Sequence, residues 1–425
     1  MALLGGARTA VRAVDTELAG WNPVVLAGAV GREALQRAGV DAGDIDEVMV
    51  GCADPVGACG ADAARAIVLA AGWPASVSGQ VIDRGETSGA AALQAAAAAI
   101  EARQAETVLV IGLGLCSVVP PGAAALNRTY GTPWGGVAER FEEAGGLLPG
   151  PRLSERAASA AGLGRTELDA AAEESRRRRA AAWTSPAVVA VAARPGPACE
   201  RGLYRGDPVR ADTVRAWEDP AGLPPAFDDG GLLTAATFAP PADCVAAVVL
   251  QAVPARPGPP GGLDGGTAAT TDRRAATPTG AQQAAGLPSA ATDGPAETLT
   301  GAAAKATVAG TGRAAGDPFD PTGNVAAAVG RALSGAGVEL DTVDDIAVVE
   351  HDASTVWLVA RALGLDAARI NRDGGSLATG NAGAAEELRL ATDGLARPDA
   401  GPLLLTISAG PTGSAAILWR SQPTA

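Results

Sequence analysis

Residues 77–112 constrain the fold more than any other stretch of the chain. Val77 to Ile82 reads as a strand that runs into a turn from Gly85 to Gly89. An Ala-rich helix then continues to Ala102, and Thr107 to Gly112 forms an unbroken apolar strand. Such a strand needs cover on both faces, and a helix between two strands of this kind places them parallel in one sheet. Upstream, Leu26, Val30, Leu35 and Ala38 approximate helical spacing within Val25 to Ala38. Gly39 ends that helix and Val48 to Val50 follows as a short buried strand. Hydrophobic residues make up 47% of the chain but aromatics only 3%, so Ala, Val, Leu and Ile must fill the layers.

The same pattern returns later. Cys244 to Val253 is a strand bounded by Pro, after which Pro254 to Gly301 collapses to Gly, Pro, Ala and Thr. Too few large apolar groups remain there to offset ordering entropy, which predicts a flexible linker. Beyond it the sequence predicts a helix at Pro321 to Gly335, a strand at Ala347 to Val349 and a helix at Val356 to Leu363. A Gly-rich turn from Asn371 to Gly380 then leads into a helix, and Leu403 to Ile407 is a buried strand. The chain therefore reads as a tandem repeat of one βαβ-rich unit. Between about Pro120 and Pro225 lies an insertion with an Arg-rich helix, Arg165 to Trp183, and Pro-rich turns such as Pro195 to Pro197. The expected division is 1–117 for the first half, 118–228 for the insertion and 229–251 for its return strand, with 252–304 as linker and 305–425 as second half.

Charge and cysteine usage narrow the function. A net charge of -14 argues against nucleic acid or an anionic membrane as partner. The basic run Arg176 to Arg179 follows Glu173 and Glu174, which predicts a solvated helix face with local ion pairs. Cys52, Cys59, Cys116, Cys199 and Cys244 form no CxxC pair, and the only histidine, His351, is distant, so no zinc site is expected. Cys116 reads as a small buried side chain. Gly112-x-Gly114 lacks the third glycine of a dinucleotide fold. An odd cysteine count and a start without a charged-then-apolar leader suggest the cytoplasm. No uninterrupted apolar run reaches the roughly 20 residues of a membrane helix.

At Asp83-Arg84-Gly85-Glu86-Thr87-Ser88-Gly89 the chain resembles the nucleophile turn of thiolases, Asn-Arg-x-Cys-x-Ser-Gly. Other landmarks occur in the family's order. Ala7-Arg8-Thr9-Ala10 is similar to its Arg-Thr-Pro start, and Ala38 to Asp41 through Asp46 to Val48 to its first helix-to-strand junction. Gly162 to Asp169 resembles its loop-domain helix. Pro225-Ala226-Phe227 with Gly231 to Ala235 resembles the return turn, with Asp243 in place of that region's Asp. His351-Asp352-Ala353 resembles a His-Asp-Ala-Phe branch motif, and Asn371-x-x-Gly374-Gly375 with Gly380 the Asn-x-x-Gly-Gly...Gly-His-Pro segment. The resemblance spans essentially everything outside the linker. It implies an α/β thiolase-like fold: two similar five-layered α-β-α-β-α halves with an inserted loop domain, assembled as a dimer or tetramer. It also implies a site for acyl-CoA or acyl-carrier thioesters, with no bound cofactor and coenzyme A entering only as part of the substrate.

The departures fall on the chemistry. Glu86 stands where the family has its nucleophilic cysteine, and a carboxylate attacking a thioester would give a readily hydrolysed mixed anhydride. Asn381 replaces the Gly-His-Pro histidine; its amide can still donate, and one oxyanion donor is worth about 3 kcal/mol. The acid/base cysteine aligns with Ile407, beside Ser408. The candidate catalytic set is therefore Glu86, His351, Asn381 and Ser408, with Ser88, Gly89, Gly380 and Gly410 as substrate-binding candidates. Plainer readings stand beside these. Glu86 could be a first-turn carboxylate at a helix N-terminus, His351 a core histidine, and Asn381 and Ser408 turn residues. A shifted alignment would make Ser88, Thr87 or Cys116 the nucleophile.

Two functions compete. In the first, Glu86 acts as a base on a thioester substrate while His351 and Asn381 hold the enolate oxygen, which suits decarboxylation, aldol-type cleavage or non-thiolytic condensation. In the second, the chain is the inactive partner of a competent thiolase or ketosynthase. Conventional thiolysis is expected to be absent in both.

Overall fold

The computed structural model describes residues 1–126, 131, 135–144, 150–192, 208–227, 230–253 and 304–422. The linker predicted from Pro254 to Gly301, the Pro195 to Pro197 turn and Cys199 lie outside these.

The first half contains β1 (Ala2–Arg8), α1 (Pro23–Ala38), β2 (Glu47–Gly51), α2 (Ala63–Ala70), β3 (Ser78–Ile82), α3 (Ser88–Glu101), β4 (Thr107–Leu115) and β5 (Ala242–Gln251). Asn22 caps α1 by accepting the Val24 and Val25 N–H groups, and Gly39 ends it in the left-handed region at φ 63°. As expected, β2 runs parallel to both β3 and β4. The sheet becomes mixed at β5, which lies antiparallel to β4 and β1 because the chain re-enters from the insertion without a helical crossover.

Sequence reading missed β1. Its glycines weaken the strand signal, yet Gly5 is required: a Cβ there would sit 2.7 Å from the Ala38 backbone nitrogen, so the strand could not approach α1.

The second half repeats this order with β6 (Ala306–Ala314), α6 (Val325–Ala336), β7 (Asp345–Val348), α7 (Ser354–Leu363), α8 (Ala385–Leu395), β8 (Leu403–Gly410) and β9 (Gly413–Ser421). β7 is parallel to β8, β9 is antiparallel to β8 and β6, and Ile370 bridges Ile346 where β3 pairs β2 in the first half. Strands β6 and β9 also escaped the sequence reading. Helix α6 begins at Val325 rather than Pro321, because the Asp320 carboxylate gathers the Thr322 and Asn324 N–H groups and holds the intervening residues as a turn.

The half-sheets meet where β1 pairs β6, at Ala2–Thr307 and Leu3–Ala306. One apolar cluster joins α3 and α8 to both half-sheets, through Leu93, Ala96, Val110, Leu388, Ile417 and Trp419. Helices α1 and α2 cover the far face of the first half and α6 and α7 that of the second. Five layers therefore run α-β-α-β-α through the two halves together. The expectation of five layers in each half is corrected, because α3 and α8 form one shared central layer.

The insertion carries α4 (Gly150–Ala160) and α5 (Arg165–Ala181). Its Arg run is less solvated than its composition suggests. Arg177 and Arg178 pair with Glu174 as expected, but Arg176 is buried and donates to the Ala236 carbonyl at 2.7 Å, and Arg179 reaches the buried Asp212. Asp212 also holds the fully buried Arg8 at 2.8 Å, which docks the insertion on the sheet.

Candidate active site

Strand ends from both halves converge on a cavity of about 470 Å³ lined by Glu86, His351, Asn381 and Ala409, by Cys52, Cys59 and Cys116, and by apolar side chains such as Leu113 and Phe238. The β3–α3 turn sets Glu86 at its edge. Asp83 accepts the Gly85 N–H at 3.0 Å, and Gly85 takes φ 55°. The Ser88 hydroxyl accepts the Arg84 N–H at 2.8 Å and donates to the Gly85 carbonyl at 2.7 Å, while Thr87 donates to the Arg84 carbonyl. Glu86, left just ahead of α3, is partly exposed, and its Oε2 accepts from the Thr412 hydroxyl at 2.6 Å. Burial does not hold this carboxylate, as it would in a deep general-base site; the β8–β9 hairpin does.

The glycine candidates and Ser88 build the frame. Ser88 is fully buried with its hydroxyl engaged in the turn. A Cβ at Gly89 would lie 2.1 Å from the Ala384 carbonyl oxygen, so this glycine lets α3 meet the start of α8. Gly380 takes φ 98° and leaves no room for a Cβ against Ala242. Gly410 lies beside Glu86, where a Cβ would come within 3.2 Å of Oε2. Thr87 and Ser88 are therefore turn residues whose hydroxyls are occupied.

His351 and Asn381 do meet, though not as two free donors. Asn381 Nδ2 donates to the Glu350 carbonyl at 3.2 Å and lies 3.2 Å from His351 Nδ1, while its Oδ1 accepts the Gly383 N–H at 2.8 Å. Those partners fix the amide orientation, so Nδ1 is the acceptor and the ring proton sits on Nε2, donated to the Ala409 carbonyl at 3.0 Å. Both ring nitrogens and both amide hydrogens are thus engaged within the protein. Behind them, Asp352 and Glu350 are fully buried carboxyls pushed up by desolvation; Ser354 donates to the first, and Leu377 and Asn371 to the second.

Ser408 and Ile407 are corrected by the pleat of β8. Ile407 lies in the outer apolar cluster with Val348 and Leu405, and Ser408, on the opposite face, donates to Glu387 of α8. Neither lines the cavity; Ala409 does, and its methyl group carries no proton to transfer. Sequence reading overlooked Glu387, a buried carboxyl pushed up to about 7 by desolvation. It also overlooked Cys52 and Cys59, which belong to no motif and reach the cavity only through the fold. Cys116 is a buried thiol, as its sequence context suggests, raised to about 12 by burial.

Among the described residues, no group of three or more His, Cys, Asp and Glu side chains is placed to hold a metal, and no helix is long and apolar enough to cross a membrane.

Known proteins agree with this architecture. The structure superposes on human mitochondrial 3-ketoacyl-CoA thiolase with a TM-score of 0.75 at 20% identity, covering 99% of this chain and 98% of that one. It superposes on the Ascaris suum thiolase Acat5, solved in complex with coenzyme A, with a TM-score of 0.73 at 22% identity and 99% coverage of both chains. In sequence, the chain is 28% identical to an acetyl-CoA acetyltransferase of Pseudomonas aeruginosa across 89% of this chain and 88% of that protein. Residues 1–253 match the family described as thiolase, N-terminal domain. With that match covering more than half of its length, the chain belongs to the thiolase family.

Proposed function

We propose that this protein binds acyl-CoA or acyl-carrier thioesters in the 470 Å³ cavity and acts on them without an acyl-enzyme, with Glu86 as the proton acceptor. The observation that carries this reading is the Glu86 carboxylate lining the cavity at the start of α3, where the resembling turn of thiolases holds a thiol. Relatives named as acetyl-CoA acetyltransferases support a coenzyme A thioester as substrate class. A carboxylate can take a proton from the carbon next to a thioester carbonyl, but it is a poor acyl carrier. That favours decarboxylative, lyase-type or non-thiolytic Claisen chemistry over thiolysis.

One observation favours the second reading, an inactive partner of a competent thiolase or ketosynthase. His351 and Asn381 spend their donors on each other and on the backbone, so neither side chain directs a free N–H at a substrate oxygen. Assembly as a dimer or tetramer fits either reading, since β3 is paired on one side only among the described strands.

Native mass spectrometry with a panel of acyl-CoAs, repeated on Glu86→Ala, separates the two. Non-covalent binding with turnover that vanishes in the variant supports the enzyme. Binding without turnover, or no binding at all, moves the assignment to the partner subunit.

A further inference from the structure

A second cavity lies behind one wall of the first. Helices α4 and α7 pack against each other, and both end in the same way. Gly162 takes φ 77° after α4 and Gly364 takes φ 68° after α7. The Leu163 N–H then returns to the Ala158 carbonyl at 3.0 Å, and the Leu365 N–H to the Ala360 carbonyl at 2.9 Å. Helix ends of this kind fold the residue after the glycine back onto the last turn. The two leucines so placed line an open groove of about 450 Å³, together with Ala161 and Trp357. Apart from Arg361 and Asp366, every described residue lining it is apolar. Trp357 is 43% exposed there, a large apolar surface left facing water.

The groove and the first cavity follow the same pair of helices. Ser154 of α4 and Thr355, Leu358 and Val359 of α7 line the first cavity, whereas Ala161 at the end of α4 and Leu358 and Arg361 of α7 line the groove. Residues three and four apart share a helix face, so Leu358 belongs both to the stripe begun by Thr355 and to the one that continues to Arg361. Among the described residues it alone lines both spaces. From Ser154 to Ala161 the chain advances about 10 Å along α4. The groove therefore continues the first cavity lengthwise, with the half-buried Leu358 side chain as the partition.

We propose that this groove holds the distal part of a long acyl chain whose thioester lies in the first cavity, and that Leu358 sets which chain lengths pass. The inference rests on the thioester site proposed above and names its substrate class as long-chain acyl thioesters. Continuity selects this occupant. The groove adjoins the thioester cavity at a leucine, and its walls offer a methylene chain apolar contact without asking it for hydrogen bonds. Its far side is open, so carbons beyond its length extend into solvent. Each methylene that leaves water tightens binding about fourfold, which favours a chain long enough to pass Leu358 over one that stops short of it.

The test uses the full-length native protein with hexadecanoyl-CoA carrying a diazirine at the far end of its chain, photolysed in the complex and followed by cleavage after Arg. Peptides 157–165 and 362–369 contribute to the groove and not to the first cavity, whereas peptide 373–389 contributes to the first cavity and not to the groove. Butanoyl-CoA bearing the same group is the reference. The long chain should label 157–165 or 362–369 and the short chain 373–389, and excess plain butanoyl-CoA should suppress both. Short-chain labelling of 373–389 with no long-chain labelling of the groove peptides overturns the inference and leaves the thioester site standing. Groove labelling that persists under excess butanoyl-CoA overturns it too, because the chain then enters from solvent. Absence of competed labelling by either probe removes both readings. Leu358→Trp, its fold checked by circular dichroism, should lower the ratio of hexadecanoyl-CoA to butanoyl-CoA affinity about tenfold or more, as two methylenes returned to water would. An unchanged ratio overturns the role of Leu358.

Discussion

Asn381 Nδ2 lies 3.2 Å from His351 Nδ1, and through this contact it fixes the tautomer of the chain's only histidine. The amide also ties the Glu350 carbonyl and the Gly383 N–H, so the 350–351 segment meets the 381–383 turn at one side chain. With its amide engaged on both sides, Asn381 serves as an internal clamp.

Asn381→Ala should therefore destabilise the protein. It leaves a partly buried carbonyl, an N–H and an imidazole nitrogen without partners, for a loss of about 2 kcal/mol in denaturant unfolding. A change within experimental error would mean that water replaces the clamp without cost.

Glu86→Cys places a thiol just ahead of α3. The variant should gain one acetyl group from acetyl-CoA by mass spectrometry, whereas the native protein should gain none. Condensation should still be absent, because the cavity-facing residue of β8 is Ala409 and offers no proton. An acetyl adduct on the native chain would instead place the nucleophile on a cysteine already present.

Glu86→Gln keeps the side-chain shape and removes the base. If turnover is found with any thioester, this variant should lose about a hundredfold or more in kcat while retaining acyl-CoA binding. Retained kcat would remove Glu86 from the reaction.

Glu387 should make stability pH-dependent in a defined direction. Its carboxyl titrates at about 7 when folded, against an ordinary 4.5, because burial penalises the charge. Between these values the folded state binds more protons than the unfolded one. Its contribution is thus fully present below about pH 4.5 and is lost as pH rises through about 7. Glu387→Gln stays neutral throughout, so its stability relative to the native protein should improve from pH 5 to about pH 7 and then level off in paired urea titrations. A constant difference would show that Glu387 is not a buried acid.

Gly114→Ala tests the join between the halves. The added methyl would sit 1.7 Å from the Ala382 carbonyl oxygen, whereas one at Gly43 would meet nothing within 4 Å. Gly114→Ala should cost about 3 kcal/mol of stability and Gly43→Ala close to nothing, read from thermal melts run side by side.

The amino-acid sequence by itself determined the elements whose signals are local. The apolar run Thr107 to Gly112, the Ala-rich helix α3, the Gly39 stop after α1 and the return of the same order in the second half all follow from side-chain period and backbone preference. It also located the turn holding Glu86, because a strand-to-helix junction of that composition is contiguous in the chain. Strands β1, β6 and β9 were less legible. In β1 and β6 the apolar pattern is interrupted by Gly5, Gly310 and Gly312, whose need appears only when α1 and α6 pack within contact distance. Tertiary structure alone decided the chemistry of the site. Whether Asn381 faces a substrate or His351, and which face of β8 carries Ser408, depends on groups brought together from distant segments and on a two-residue pleat. A one-residue change in register sends a side chain to the other layer.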